Sequence, residues 1–237
     1  MFPIGDDKLH GAGATPVTWT LIVLNVFAFI YEITLPEEAL EQFFMTWGAV
    51  PAKILAGENL LSLFSSIFMH GGWMHLIGNM LFLWVFGDNI ETVLGHLGFL
   101  AFYLLGGLAA TAAHIFFYPT SLIPSVGASG AIAACLGSYI VMFPHARIRV
   151  LVPIIFFITI VRVPALFFLF IWAVTQFFYG VADLGATTAQ TAGVAYWAHI
   201  GGFVFGVIVG FLFRHRSKNF IPLSDEEHYL RRRIGRW

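Results

Sequence analysis

Gly127-Ala128-Ser129-Gly130, running straight into the apolar stretch 131–143, is the part of the chain from which the fold is read. A serine between glycines at a helix start suits a nucleophile. The glycines let backbone approach a substrate, and the helix N-terminus favours developing negative charge. By itself Gly-x-Ser-Gly says little, because small residues are common wherever membrane helices pack closely. Its meaning depends on what surrounds it.

The surroundings are a membrane protein's. Of 237 residues, 59% are hydrophobic and 11% charged, with mean hydropathy +0.83. A soluble domain carries about 25% charged residues. The net charge of −1 gives no hint of nucleic acid. The single cysteine, Cys135, excludes an internal disulfide and cysteine-based metal clusters, and in an apolar helix it reads as a packing residue. Residues 1–16 lack the basic start of a cleavable signal, so the first apolar run is expected to be retained.

Six apolar segments follow, expected as helical spans at 17–34, about 73–86, 97–118, 129–143, about 163–179 and about 195–213. Segment 37–59, with Phe43, Phe44 and Trp47, suits the membrane interface, as does 150–160. Asp88 and Glu91 fall in a short connection after the second span. Arg147, Arg149, Arg162, Arg214, Arg216, Lys218 and Arg231 to Arg233 lie after spans four and six or just before span five, whereas Lys53 alone marks the other side. Basic residues collect on the cytoplasmic side, so both termini are expected there. The expected organisation is an all-α integral membrane protein: a cytoplasmic segment 1–16, a six-helix membrane domain 17–213 and a basic tail 214–237.

In that topology spans two, four and six all begin on the outer side, and each carries polar residues near its start: His75 and Asn79, Ser129, and His199. Such groups are costly within a membrane and count as functional candidates. Ser129 to Phe143 is about 22 Å of helix against about 30 Å of hydrocarbon, so Ser129 is expected below the outer surface. Ser129, Ala133 and Gly137 recur every fourth residue, as do Gly202, Gly206 and Gly210. These small faces allow close approach. His199 lies on the same face as Gly202. Docking the faces brings imidazole to hydroxyl, where histidine can take the serine's proton and return it to a leaving amine. No carboxylate is suitably placed to orient the imidazole, which suggests a dyad. His75 and Asn79, four apart, can form an oxyanion hole with the Ser129 N–H. Each alone reads equally well as a helix–helix hydrogen bond; four such residues at one depth on three helices favour the site. His70 and His114 read as structural, and Asn25 and Glu32 as helix–helix contacts.

The run His70-xxxx-His75-xxx-Asn79, then Gly127-Ala-Ser129-Gly130, then Ala198-His199-xx-Gly202-xxx-Gly206 resembles the rhomboid intramembrane serine proteases, as does Phe86-Gly87-xxx-Glu91-xxx-Gly95. The resemblance implies a six-helix rhomboid fold and a serine endopeptidase that cleaves transmembrane protein substrates within or near the membrane. Ser129 would be the nucleophile and His199 the base and acid. His75, Asn79 and the Ser129 N–H would bind the oxyanion, and Gly127, Gly130, Gly202 and Gly206 would support the motif. It also implicates Trp172, Phe177, Phe178 and the loop 181–194 as a gate and cap. No cofactor or metal is implied, and a prokaryotic cytoplasmic membrane is expected, with the site opening outward. Two positions depart from the family's pattern: Ala133 stands where an aromatic often stacks on the histidine, and Trp47 is followed by Gly48 rather than arginine.

Rival chemistries fit less well. The chain has no His-Glu-x-x-His motif for a metalloprotease, and Asp88 and Asp183 lie at span ends rather than deep in two spans. A carrier would show paired ionisable groups or an internal repeat. A catalytically silent rhomboid-like protein that binds client membrane segments would have lost the serine or histidine, and both are present.

Overall fold

The computed structural model describes residues 2–9, 12–154, 157–184, 194–220 and 222–223. The chain is mainly helical: α1 Pro16–Glu32, α2 Glu37–Trp47, α3 Pro51–Leu55, α4 Ser62–Ser65, α5 Trp73–Leu94, α6 His96–Phe117, α7 Ser129–Met142, α8 Ala165–Leu184 and α9 Tyr196–Ser217. By length and composition α6, α8 and α9 can cross a membrane, and α1 and α7 are shorter apolar helices. Short strands accompany them: β1 Phe2–Asp6, β2 Lys8–Leu9, β3 Arg147–Ile154, β4 Phe157–Pro164 and β5 Pro222–Leu223.

At the centre stands α7, buried along nearly its whole length and packed against α5, α6, α8 and α9. Its broadest contact is with α9. There the glycines allow backbone to touch backbone. A methyl group at Gly202 would strike the carbonyl of Gly130, one at Gly206 the carbonyl of Ala134, and one at Gly137 the carbonyl of Phe203. The Ser138 hydroxyl adds a 2.7 Å hydrogen bond to the Gly206 carbonyl. The α9 face read from the sequence is the one that meets α7. On α7 the contact runs through Gly130, Ala134, Gly137 and Ser138, so that of the expected face of Ser129, Ala133 and Gly137 only Gly137 makes the backbone contact.

Several boundaries differ from the expected ones. The second span does not stop at Phe86: α5 continues through Asp88 and Glu91 to Gly95, whose φ of +75° turns the chain into α6. Glu91 is therefore a helical residue with a structural task. Its carboxylate accepts hydrogen bonds from the Val17 and Thr18 backbone N–H groups (3.0 and 2.7 Å) and from the Thr18 hydroxyl (2.7 Å). It thereby satisfies the free donors of the first turn of α1 and sits at the positive end of that helix. His96 Nδ1 lies 2.7 Å from the same carboxylate. Asn25 bonds its own helix, with Nδ2 donating to the Leu21 carbonyl at 2.7 Å.

An all-helical reading also misses the sheets. The stretch expected to be interfacial, and the first residues assigned to span five, form an antiparallel hairpin of β3 and β4, so α8 begins only after Pro164. β-branched residues at 148, 150 and 152 favour extended structure, and Ile148 and Val150 bury their side chains against the bundle. β1 supplies the other edge of the sheet, pairing antiparallel with β3, and β2 pairs with β5 beyond α9. Strand pairing therefore brings the N-terminal segment, the 147–164 hairpin and the end of α9 to one end of the bundle. The N-terminal segment is fastened there. Tyr139 Oη and Asn89 Nδ2 each donate to Asp6 Oδ2 at 2.6 Å, and the Arg147 N–H donates to Asp7 Oδ2 at 2.9 Å. Residues 224–237, with Arg231 to Arg233, lie outside the described residues.

Burial, and next the Asp88 carboxylate, raise the Asp6 carboxyl well above its ordinary range, against the opposing effect of the Tyr139 and Asn89 hydrogen bonds. A carboxyl raised on folding stabilises the fold while protonated, and that contribution is lost as pH rises through the raised value. Thermal unfolding in detergent should therefore shift to lower temperature from mildly acidic to mildly alkaline pH, and less so in Asp6→Asn. Equal slopes in the two proteins would contradict this. Gly206→Val, which forces a branched side chain into the Ala134 carbonyl, should destabilise the fold by about 3 kcal/mol, the upper part of the range for overpacked cores. An unchanged melting temperature would show that α7 and α9 do not depend on that contact.

Candidate active site

Ser129 is the first residue of α7, and the chain reaches it through a loop held on both sides. Ala49 and Ser125 exchange backbone hydrogen bonds of 3.0 and 2.9 Å, and the Gly127 N–H donates to the Ser66 carbonyl at 2.9 Å. Gly127 has φ +133°, a conformation that L side chains rarely adopt. A methyl group there would also lie 2.7 Å from His75 Nε2. Only glycine lets the loop backbone rest on that imidazole. With 14 residues, α7 is about 21 Å long, shorter than the hydrocarbon thickness of about 30 Å.

The close approach of α7 and α9 sets the next distance. His199, three residues before Gly202, has Nε2 at 2.7 Å from Ser129 Oγ. On its other side, His199 Nδ1 is 2.7 Å from Gln176 Oε1 on α8. An amide oxygen can only accept, so this contact favours the tautomer with its proton on Nδ1. Nε2 is then left with a lone pair to accept the serine's O–H. The Trp172 ring, one turn from Gln176, lies 6.0 Å from the imidazole at 34°. The aromatic missing at Ala133 is thus supplied by another helix: Ala133 is fully buried in α7, and Trp172 of α8 takes the place beside the histidine.

His75 and Asn79 stand on α5 across the loop from Ser129, both lining the same cavity. Asn79 Nδ2 donates to His70 Nε2 at 2.9 Å, which fixes the amide and leaves its second N–H available. His70 is itself held: its backbone N–H donates to Glu32 Oε2 at 3.2 Å, and its ring meets His75 edge to face at 5.1 Å. Glu32 thus anchors the loop before α5 rather than a neighbouring helix. The cavity measures about 990 Å³ and is lined by Ser129, His199, His75, Asn79, His114 and Tyr118 among others. His114 therefore faces the cavity. The Tyr118 hydroxyl donates to the Asp183 carboxylate, tying the end of α6 to the end of α8.

The residues singled out as a gate divide. Trp172 touches the histidine. Phe177 packs edge-on against Trp197, which stacks on Phe117 at 3.6 Å, and Phe178 lies on the exposed side of α8. Residues 185–193 of the proposed cap lie outside the described residues. Gln176 was not among the sequence candidates. The signal was present: it is the one long amide in span five, four residues after Trp172 and so on its face.

Residues 57–216, more than half the chain, match the Rhomboid domain. This chain belongs to the rhomboid family. It is similar to the mitochondrial rhomboid protein 1 of Saccharomyces cerevisiae, 30% identical over 190 residues that cover 75% of this chain and 47% of that protein. It is 33% identical over 207 residues to the mitochondrial presenilin-associated rhomboid-like protein A of Danio rerio, covering 85% and 49%. With rhomboid protease GluP of Bacillus subtilis it shares 34% over 127 residues, covering 53% and 24%. This rhomboid chain spans about half the length, or less, of these curated relatives.

Proposed function

We propose that this rhomboid is an intramembrane serine endopeptidase that cleaves transmembrane protein substrates within or near the membrane. The observation that carries the reading is the 2.7 Å contact of Ser129 Oγ with His199 Nε2 at the wall of a recessed cavity. Membership of a family that includes a bacterial relative named as a protease adds to it.

In this mechanism the scissile carbonyl enters the cavity over Ser129. His199 Nε2 takes the hydroxyl proton as Oγ attacks, and the tetrahedral intermediate forms. Its oxyanion is met by the Ser129 N–H at the start of α7, by the free N–H of Asn79 and by His75. His199 then protonates the leaving amine and the C–N bond breaks, leaving an acyl-enzyme. Water admitted through the cavity then gives a proton to His199 as its oxygen attacks the acyl carbon. The bond to Ser129 Oγ breaks, His199 returns the proton to Oγ, and the acid product leaves. The protein's contribution is placement: the nucleophile, base and oxyanion donors come from three helices whose spacing is set before substrate arrives.

Arginines at 147, 149, 162, 214 and 216 support a cytoplasmic location for the sheet-bearing end, with both termini on that side and the cavity facing outward. On this reading 17–213 is the membrane domain, between the N-terminal segment 1–16 and the basic tail 214–237, and the bilayer is a prokaryotic cytoplasmic membrane. The resemblance that assigns Trp172, Phe177 and Phe178 to a gate supports a substrate route past α8, entered sideways from lipid.

Cleavage of a fluorescent transmembrane substrate by the purified chain in detergent tests the proposal. Ser129→Ala and His199→Ala should each lower turnover at least about a thousandfold while circular dichroism stays unchanged. Asn79→Ala should cost less, about a hundredfold, because other oxyanion donors remain. Activity retained in either dyad variant would overturn the mechanism. Tight binding of the segment without cleavage by the unaltered chain would favour a silent client-binding protein instead.

A further inference from the structure

We infer that Gln176 is a positioning residue for His199, and that through it and Trp172 the helix α8 holds the base in its working tautomer. This rests on the reading of His199 as the base, but the contact itself can be tested without turnover.

The argument starts from the imidazole's two nitrogens. Nε2 serves Ser129 only if it carries no proton, so the proton must sit on Nδ1. A free imidazole populates both tautomers. An acceptor at Nδ1 selects one, and here that acceptor is Gln176 Oε1 at 2.7 Å. The titratable groups facing His199 from the other helices are His75 on α5 and His114 on α6. Neither bonds to Nδ1, and no carboxylate does so among the described residues. A neutral amide therefore does what a carboxylate does in a triad, at lower cost for a group inside a membrane, where a second charge would need its own partner.

Position adds the second part. Trp172 and Gln176 are four apart on α8, so one helical face carries both the indole, 6.0 Å from the imidazole and tilted by 34°, and the oxygen at Nδ1. Neither α7 nor α9 supplies a comparable contact: the α7 position one turn below Ser129 is Ala133, and the α9 residue one turn below His199 is Phe203, which packs on Trp172. α8 is also the least embedded of the three long apolar helices, with Ala165, Leu169 and Gly180 its buried residues. The least buried of these three helices thus carries the support of the base. The imidazole is held while α8 is docked, and both contacts part together if α8 moves away.

The test uses the full chain with 15N-labelled histidine, comparing the unaltered protein with Gln176→Met, which keeps the volume and loses the acceptor, and with Gln176→Glu, which keeps an acceptor. His199 resonances are assigned by their loss in His199→Ala. The unaltered chain and Gln176→Glu should show the Nδ1–H tautomer, and Gln176→Met a mixture with Nε2–H. On the transmembrane substrate, kcat of Gln176→Met should fall about tenfold with KM changed less than about twofold, and Gln176→Glu should recover most of it. The same tautomer in the unaltered chain and in Gln176→Met would overturn the inference, whatever the activities. If instead the unaltered chain shows the Nδ1–H tautomer and Gln176→Met the mixture, but the unaltered chain cleaves no substrate or Ser129→Ala cleaves it equally well, the protease reading fails and the positioning contact stands.

Discussion

Everything at this site depends on how near two helix backbones can come. α7 and α9 meet through Gly130, Ala134 and Gly137 on one side and Gly202 and Gly206 on the other, with carbonyls lying where side chains would otherwise be. Water does not drive helices together inside a bilayer; van der Waals contact and hydrogen bonds do, and both require close approach. The Ser138 hydroxyl on the Gly206 carbonyl adds the polar part. Ser129 and His199 stand at the same end of this seam, so the register that buries the glycines also sets the 2.7 Å between oxygen and nitrogen. Packing and chemistry share one constraint.

Around the seam, polar groups fasten elements that apolar surfaces alone would leave free to slide. Glu91 ties the start of α1 to the end of α5, and Glu32 holds the backbone at His70, whose ring in turn holds Asn79. Glu91 spends its acceptors on two backbone N–H groups and the Thr18 hydroxyl, so its charge is met by several donors, whereas Glu32 accepts from the His70 N–H. The chain Glu32–His70–Asn79 runs from the end of α1 to the cavity wall. Asn79 is therefore aimed by residues that never meet substrate.

The sequence made the seam and the four polar residues legible because their signals are local and periodic: a glycine every fourth residue and a histidine one turn away. The sheets were not legible in the same way. β1 meets β3 across more than 140 residues, and no window of the sequence contains both partners. Hydropathy also blurred the hairpin, since Val150, Val152, Ile158 and Ile160 are as apolar as a span and only their extended pairing tells them apart. The support of His199 was missed for a chemical reason. The familiar signals are a carboxylate and an aromatic one turn below the serine, whereas α8 provides an amide and a tryptophan. Membership of the rhomboid family covers 57–216, and the N-terminal strand that completes the sheet lies outside that match.

The central claim is that Ser129 is made nucleophilic by His199. The most direct measurement is covalent labelling of the folded chain in lipid vesicles by a fluorophosphonate, read by mass spectrometry of the peptide that carries the adduct. The account predicts a single phosphonylated residue, Ser129, and loss of that adduct in His199→Ala. A folded chain that stays unlabelled, or that is labelled at Ser129 equally well without His199, would contradict it.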